Sequence, residues 1–151
     1  MIVVDTSAVV GLLDADSASH AALRELYDDN PALWTLPWAI LPEIDYLVGK
    51  HLGEKVREAF LSDLAEGTFA VEWGSDGDLA AARRIDKRYK SLRLGLVDAI
   101  VIATAERLKA EAIATLDLRH FGAVSIKGNP RLLPRDISRD RRAISGSRRA
   151  S

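Results

Sequence analysis

The chain has 151 residues, 48% hydrophobic and 28% charged, which is enough for one domain with its own core. It has no cysteine, which excludes disulfide scaffolds and thiolate zinc sites, and no apolar run near the roughly 18–20 residues that span a bilayer. A formal net charge of −1 argues against a uniformly basic nucleic-acid binder, and the lack of a basic stretch before the first apolar run makes a cytoplasmic location the expectation.

The opening MIVV is short, apolar and β-branched, and predicts a buried strand. SAVVGLLDAD then reads as a short helix. Asp16 or Ser17 can cap the next helix, SASHAALRELYDD, which ends near Asn30-Pro31. ALWTLP predicts a second strand. WAILPEIDYLVGKHLG is helical, with Pro42 tolerable only in the first turn. GEKVREAFLSDLAEG is an amphipathic helix stopped by Gly67, and TFAVEW a third strand. SDGDLAAARRIDKRYKSL follows as a helix with Ser75 or Asp76 as its cap. LVDAIVIATAERLKA is so apolar that it predicts a central helix. AIATLD is a fourth strand and AVSI a candidate fifth.

Strand and helix patterns thus alternate, which predicts a three-layer α/β/α sandwich with a mostly parallel sheet of four or five strands. The expected domain covers residues 1–134. Residues 135–151 hold six Arg against two Asp, so this tail carries +4 and the rest of the chain −5. With no sustained apolar period, the tail reads as flexible in isolation, either a solvated end or an arm for polyanions.

Ligands in parallel sheets sit beyond the carboxyl ends of the strands, where strand order reverses. Asp5 follows IVV and Asp117 follows IATL, so both acids would project at that edge. Glu43, in LPEIDYLV, and Asp98, in LGLVDAIVIATA, are acids in apolar helices. Each has a local explanation: a helix cap for Asp5, an Asx turn for Asp117, and a first-turn acid beside the helix dipole for Glu43 and Asp98. Four such acids at one edge would repel one another, and burial would further disfavour their charged forms. Oxygen donors without cysteine or clustered histidine suit Mg²⁺ or Mn²⁺, and such a site activates water for attack on a phosphodiester.

The stretches VVDTSAVVGLLDAD, LPEIDYL, LRLGLVDAIVIATAERL and IATLDLRHF, in that order and spacing, resemble the PIN-domain nucleases, and more narrowly the VapC-type toxins of prokaryotic toxin–antitoxin pairs, over about residues 1–133. The resemblance implies a three-layer fold and a divalent-metal endoribonuclease, with Asp5, Glu43, Asp98 and Asp117 as its acidic cluster. It implies Mg²⁺, with Mn²⁺ able to substitute, toxicity by RNA cleavage, a cognate antitoxin, and homodimers that pair again in the antitoxin complex. Ser7 and Thr115 match positions where the family has small hydroxyl residues, which here would orient a carboxylate or cap the local backbone. Pro42 beside Glu43 departs from the expected motif. Asp45 is a second candidate acid, but i and i+2 face different ways and only one should reach the site.

A negative site must still attract RNA. Arg83, Arg84, Lys87, Arg88, Lys90 and Arg93 precede Asp98, and Arg83/Lys87 and Arg84/Arg88 form i,i+4 rows that could hold phosphates or simply form a solvated face. Arg119 and His120 lie just past Asp117. No two of His20, His51 and His120 have metal-ligand spacing, and none is given a catalytic role. Trp34, Trp38 and Trp73 could stack on bases or fill cores and partner interfaces. Two rival readings are a small phosphotransfer domain, disfavoured because TLDLRHF lacks a lysine, and a non-catalytic PIN-like module whose acids receive a partner's arginine.

Overall fold

The first apolar run forms β1 (Ile2–Val4), buried along its whole length and central in the sheet of a computed structural model that describes residues 1–137. The other strands are β2 (Trp34–Pro37), β3 (Ala70–Glu72), β4 (Ala112–Ala114) and β5 (Arg131–Leu133). Their order is β3-β2-β1-β4-β5, and every pairing is parallel. Three-residue strands suffice because Val3 pairs with Thr35 on one side and Ile113 on the other, which satisfies backbone groups that water cannot reach. The central strands are apolar on both faces, as a sheet covered on both sides requires.

The helices are α1 (Thr6–Leu13), α2 (His20–Asp29), α3 (Leu41–His51), α4 (Glu54–Ala65), α5 (Asp78–Arg88), α6 (Gly95–Arg107) and α7 (Leu118–Phe121). Packing joins α1 to α2 and α3, α3 to α4, and α5 to α6. The contacts thus separate α1–α4 from the α5–α6 pair, as expected when right-handed crossovers change sense across the sheet after β3. The expected α/β sandwich is present, with five strands. No helix among the described residues is long and apolar enough to cross a membrane.

Several local expectations change. The fifth strand is Arg131–Leu133, not AVSI. Val124 and Ile126 are buried outside the sheet, and β5 instead takes the edge beside β4. Helix α2 starts at Ser19 with no side-chain cap; neither Asp16 nor Ser17 fills that role, and the Ser17 hydroxyl accepts the Ser19 N–H instead. Helix α5 starts after Gly77, and Asp78 reaches back to accept from both the N–H and the hydroxyl of Ser75. A 3-10 turn over Trp38–Ile40 precedes α3, and Pro42 falls in the first turn of α3, where it displaces no helical hydrogen bond.

The core runs through β1, β2, β4 and α6. Ala99, Ile100, Val101, Ile102, Ala103 and Ala105 are all buried in α6, as expected of a central helix. Trp34 is fully buried and meets Tyr27 edge-on at 5.3 Å, so it serves the core and not base stacking. Asp136 accepts the N–H of Leu132 at 2.7 Å, and Ile137 packs against the core, so the chain stays attached to β5 just past residue 134. The rest of the basic tail, 138–151, lies outside the described residues.

Candidate active site

The connections leaving β1 and β4 run in opposite directions across the sheet, toward β2 and β5, and the two acids predicted at strand ends flank the point between them. Asp5 follows β1, Asp117 lies three residues past β4, and the Asp5 N–H donates to Ala114 O at 2.9 Å. Asp5 is the N-cap of α1 and Asp117 the N-cap of α7, while Glu43 and Asp98 lie in the first turns of α3 and α6. The local explanations and the convergent one are therefore the same geometry. Four helix N-termini point at one place, and each supplies a carboxylate to it.

Asp5, Glu43, Asp98 and Asp117 all line one cleft of about 410 Å³, and no Lys or Arg is among the residues lining it. Asp45 turns away to pair with Arg57 at 2.7 Å, so Glu43 is the acid that α3 offers here. The tightest grouping is narrower than the four acids. His120 Nδ1 lies 2.7 Å from Asp98 Oδ2 and 3.1 Å from Asp117 Oδ2, and donor atoms of these three residues all lie within 4.8 Å of one another. Asp5 and Glu43 stand outside that trio.

Ser7 and Thr115 organise Asp5. The Ser7 hydroxyl donates to Asp5 Oδ2 at 2.7 Å and the Thr115 hydroxyl to the same oxygen at 3.0 Å. In turn Ser7 Oγ accepts the Leu116 N–H, and Thr115 Oγ1 accepts the Asp117 N–H at 3.0 Å. The two hydroxyls thereby stitch β1 to the segment after β4 and hold two of the acids in register. Thr6, unremarked in the sequence, also lines the cleft, and its buried hydroxyl has no hydrogen-bond partner among the described residues.

The electrostatics show charge in excess. Burial pushes the Asp98 carboxyl up, the Asp5 carboxylate pushes it further, His120 pulls it back, and Asp117 adds a smaller push, leaving it at about 6. Asp5 is also raised, first by burial, although hydrogen bonds from Ser7, Thr115 and Thr6 oppose the rise. A cleft of hard carboxylate and hydroxyl oxygens with surplus negative charge, and with His51 but no Lys or Arg on its walls, fits a Mg²⁺ or Mn²⁺ ion.

The residues proposed for RNA contact lie elsewhere. Arg83, Arg84, Lys87 and Arg88 are exposed on α5, and Arg93 sits in the turn before α6 with φ of +52°. Arg84 and Arg88 line a separate groove with Tyr89 and Glu106. None of these lines the acidic cleft. Arg119, exposed on α7, is the nearest in sequence to it. Trp38 and Trp73 are exposed, at 41% and 75%.

Two features escaped the sequence. His120 stands at Asp117 plus three, one helical turn on, a spacing to an acid that the distances between histidines do not reveal. Asp78 is buried and joined to Arg107 by bonds of 2.8 and 3.1 Å, and Arg107 also reaches Glu72 at 2.7 Å. This network ties α5, α6 and β3 together, and nothing in the local sequence links its members.

The PIN domain family's sequence model matches residues 2–127. The chain belongs to the PIN-domain family. Within that family it is of the VapC type. It is 32% identical over 130 residues to Ribonuclease VapC26 of Mycobacterium tuberculosis, which spans 86% of this chain and 96% of that relative. Solved structures share the fold. The Mycobacterium tuberculosis toxin VapC20, described as cleaving the sarcin–ricin loop, superposes with a TM-score of 0.75 at 21% identity, covering 86% of this chain and 99% of its own. A DNA-bound VapBC from Salmonella typhimurium gives 0.67 at 18% identity, covering 87% and 97%.

Proposed function

We propose that the protein is a Mg²⁺-dependent endoribonuclease, the toxin of a type II toxin–antitoxin pair, which hydrolyses RNA phosphodiester bonds with metal-activated water. Mn²⁺ can substitute. It works in the cytoplasm as a homodimer and is held in check by a cognate antitoxin, with which it forms larger assemblies. The carrying observation is the cleft in which Asp5, Glu43, Asp98 and Asp117 meet with no Lys or Arg on its walls. The VapC26 ribonuclease supports the substrate class, and the VapBC complex supports a partner.

The divalent ion, when bound, would activate water and offset charge on the phosphodiester. Asp98 and Asp117 stand ready to hold it, Asp5 from the sheet side and Glu43 from α3 complete the set, and Ser7 and Thr115 keep Asp5 aimed. The low-exposure floor of the cleft keeps these charges poorly screened, so their pull on a cation is strong. Arg119 on α7, with Arg83, Arg84, Lys87, Arg88 and Arg93, draws the RNA backbone toward a site that would otherwise repel it. The domain is residues 1–134, with Asp136 and Ile137 holding the start of the tail against it.

The test is cleavage of labelled RNA with Mg²⁺, Mn²⁺ or EDTA. Wild-type protein should leave 5′-phosphate and 3′-hydroxyl ends only with metal, and Asp5→Asn and Asp98→Asn should be inactive yet folded. Full metal-dependent activity in either variant contradicts the assignment.

A further inference from the structure

We propose, building on that reading, that His120 is a protein ligand of the metal centre beside Asp98 and Asp117, and that its nitrogen makes the centre prefer Mn²⁺ over Mg²⁺. The geometry comes from two elements. Asp117 and His120 are i and i+3 on α7, so both side chains share one face of its single turn, and the His120 N–H fixes Asp117 by donating to Oδ1 at 3.1 Å. Asp98 comes from the first turn of α6. The side chains of His120 and Asp98 are 19% and 17% exposed and that of Asp117 is 34% exposed, so two of the three are sheltered and Asp117 faces the opening.

The spacings fit a single small ion. In octahedral coordination at about 2.1 Å, neighbouring ligands are separated by √2 times that distance, about 3.0 Å. The observed separations from Nδ1 to the two carboxylate oxygens are 2.7 and 3.1 Å. Both separations match an edge of that octahedron and equally suit the hydrogen bond and ion pair that the three groups make with one another, contacts that a cation would replace. Imidazole Nδ1 would bind as the neutral tautomer with its proton on Nε2. Mg²⁺ takes oxygen ligands and keeps its waters, whereas first-row transition ions accept imidazole nitrogen readily. An all-carboxylate centre would discriminate little between Mg²⁺ and Mn²⁺, but one with a nitrogen donor favours Mn²⁺.

The experiment uses metal-free protein and MnCl₂ alone, without RNA. Pulsed electron paramagnetic resonance of the wild-type protein with one equivalent of Mn²⁺ should show nitrogen coupling from a directly bound imidazole. Calorimetric titrations should show that His120→Ala weakens Mn²⁺ binding about tenfold or more while Mg²⁺ binding falls less than about threefold. Absence of nitrogen coupling from bound Mn²⁺, or equal losses for the two ions, overturns the role of His120 and leaves the carboxylate centre standing. Failure of the wild-type protein to bind either ion overturns both this inference and the metal-dependent function on which it rests. The spectroscopic arm needs no variant, so a His120→Ala protein that fails to fold does not shelter the claim.

Discussion

Asp98→Asn should stabilise the metal-free protein at neutral pH while removing its response to metal. The ordinary aspartate value is 3.8, and in the folded protein Asp98 stands at about 6. At about 1.36 kcal/mol per unit, that difference is roughly 3 kcal/mol of unfavourable ionisation above pH 6. The cleft is open to water, so the realised gain should be nearer 1–2 kcal/mol, or about 3–6 °C in Tm for a chain of this size. The sign follows from the raised folded value. Below pH 3.8 Asp98 is protonated in both states and costs nothing. Between 3.8 and 6 the unfolded chain is already ionised and the folded protein is not yet so, and the penalty grows. Above 6 it is complete. Asparagine keeps an acceptor for His120 and carries no charge, so the variant's advantage should be small at pH 4.5 and full at pH 7.5. The assay is thermal unfolding in EDTA at both values, repeated with excess Mg²⁺, which should raise Tm for the wild type and not for the variant. A variant less stable than wild type at pH 7.5 in EDTA, or an advantage equal at both pH values, would refute the claim that crowded negative charge is held in this cleft.

Thr115→Val removes the donor to Asp5 and the acceptor for the Asp117 N–H, and should cost about 1–3 kcal/mol in urea unfolding, with a larger loss in metal affinity than the exposed Ser75→Ala shows. Asp78→Asn should lower stability by about 2 kcal/mol at pH 7 because Arg107 loses its buried charged partner and keeps only Glu72. Although burial pushes Asp78 up, bonds from Arg107 and Ser75 hold it below the usual range, so its contribution persists above pH 3.8 and disappears only as the pH falls through its lower folded value. Chemical denaturation at pH 7 and pH 3 measures the difference. Arg119→Ala should weaken RNA binding and flatten the plot of log affinity against log salt by about 0.7, the single-strand value for one phosphate contact, and an unchanged slope removes Arg119 from the RNA path.

The acids were legible because each breaks a strong local pattern. Asp98 interrupts an apolar helix, and Asp5 ends an apolar strand where a turn residue is the usual choice. A charge in such a place needs compensation, and the compensation is what the sequence points toward. Strands near the centre were legible for the same reason, since burial on both faces leaves an unbroken apolar run. Edge strand β5 was not. RLL begins with an exposed arginine and carries too little pattern to outweigh AVSI, whose Val124 and Ile126 are buried against the core without joining the sheet. Caps were misplaced at α2 and α5 because several serines and aspartates compete within a few residues, and only the packed position of each helix decides among them.

Taken by itself, the order of residues along the chain determined the alternating architecture, the four acids and the hydroxyls beside two of them, because burial and charge are properties that each segment shows locally. What only the tertiary structure decided is which groups meet across the sheet: His120 between Asp98 and Asp117, and Arg107 between Asp78 and Glu72. The contacts of His120 with Asp98 and of Arg107 with Asp78 and Glu72 join residues 22 to 35 positions apart, and no local periodicity records them. They exist because parallel strands carry separate helix starts to one edge, and distance in space there bears no relation to distance along the chain.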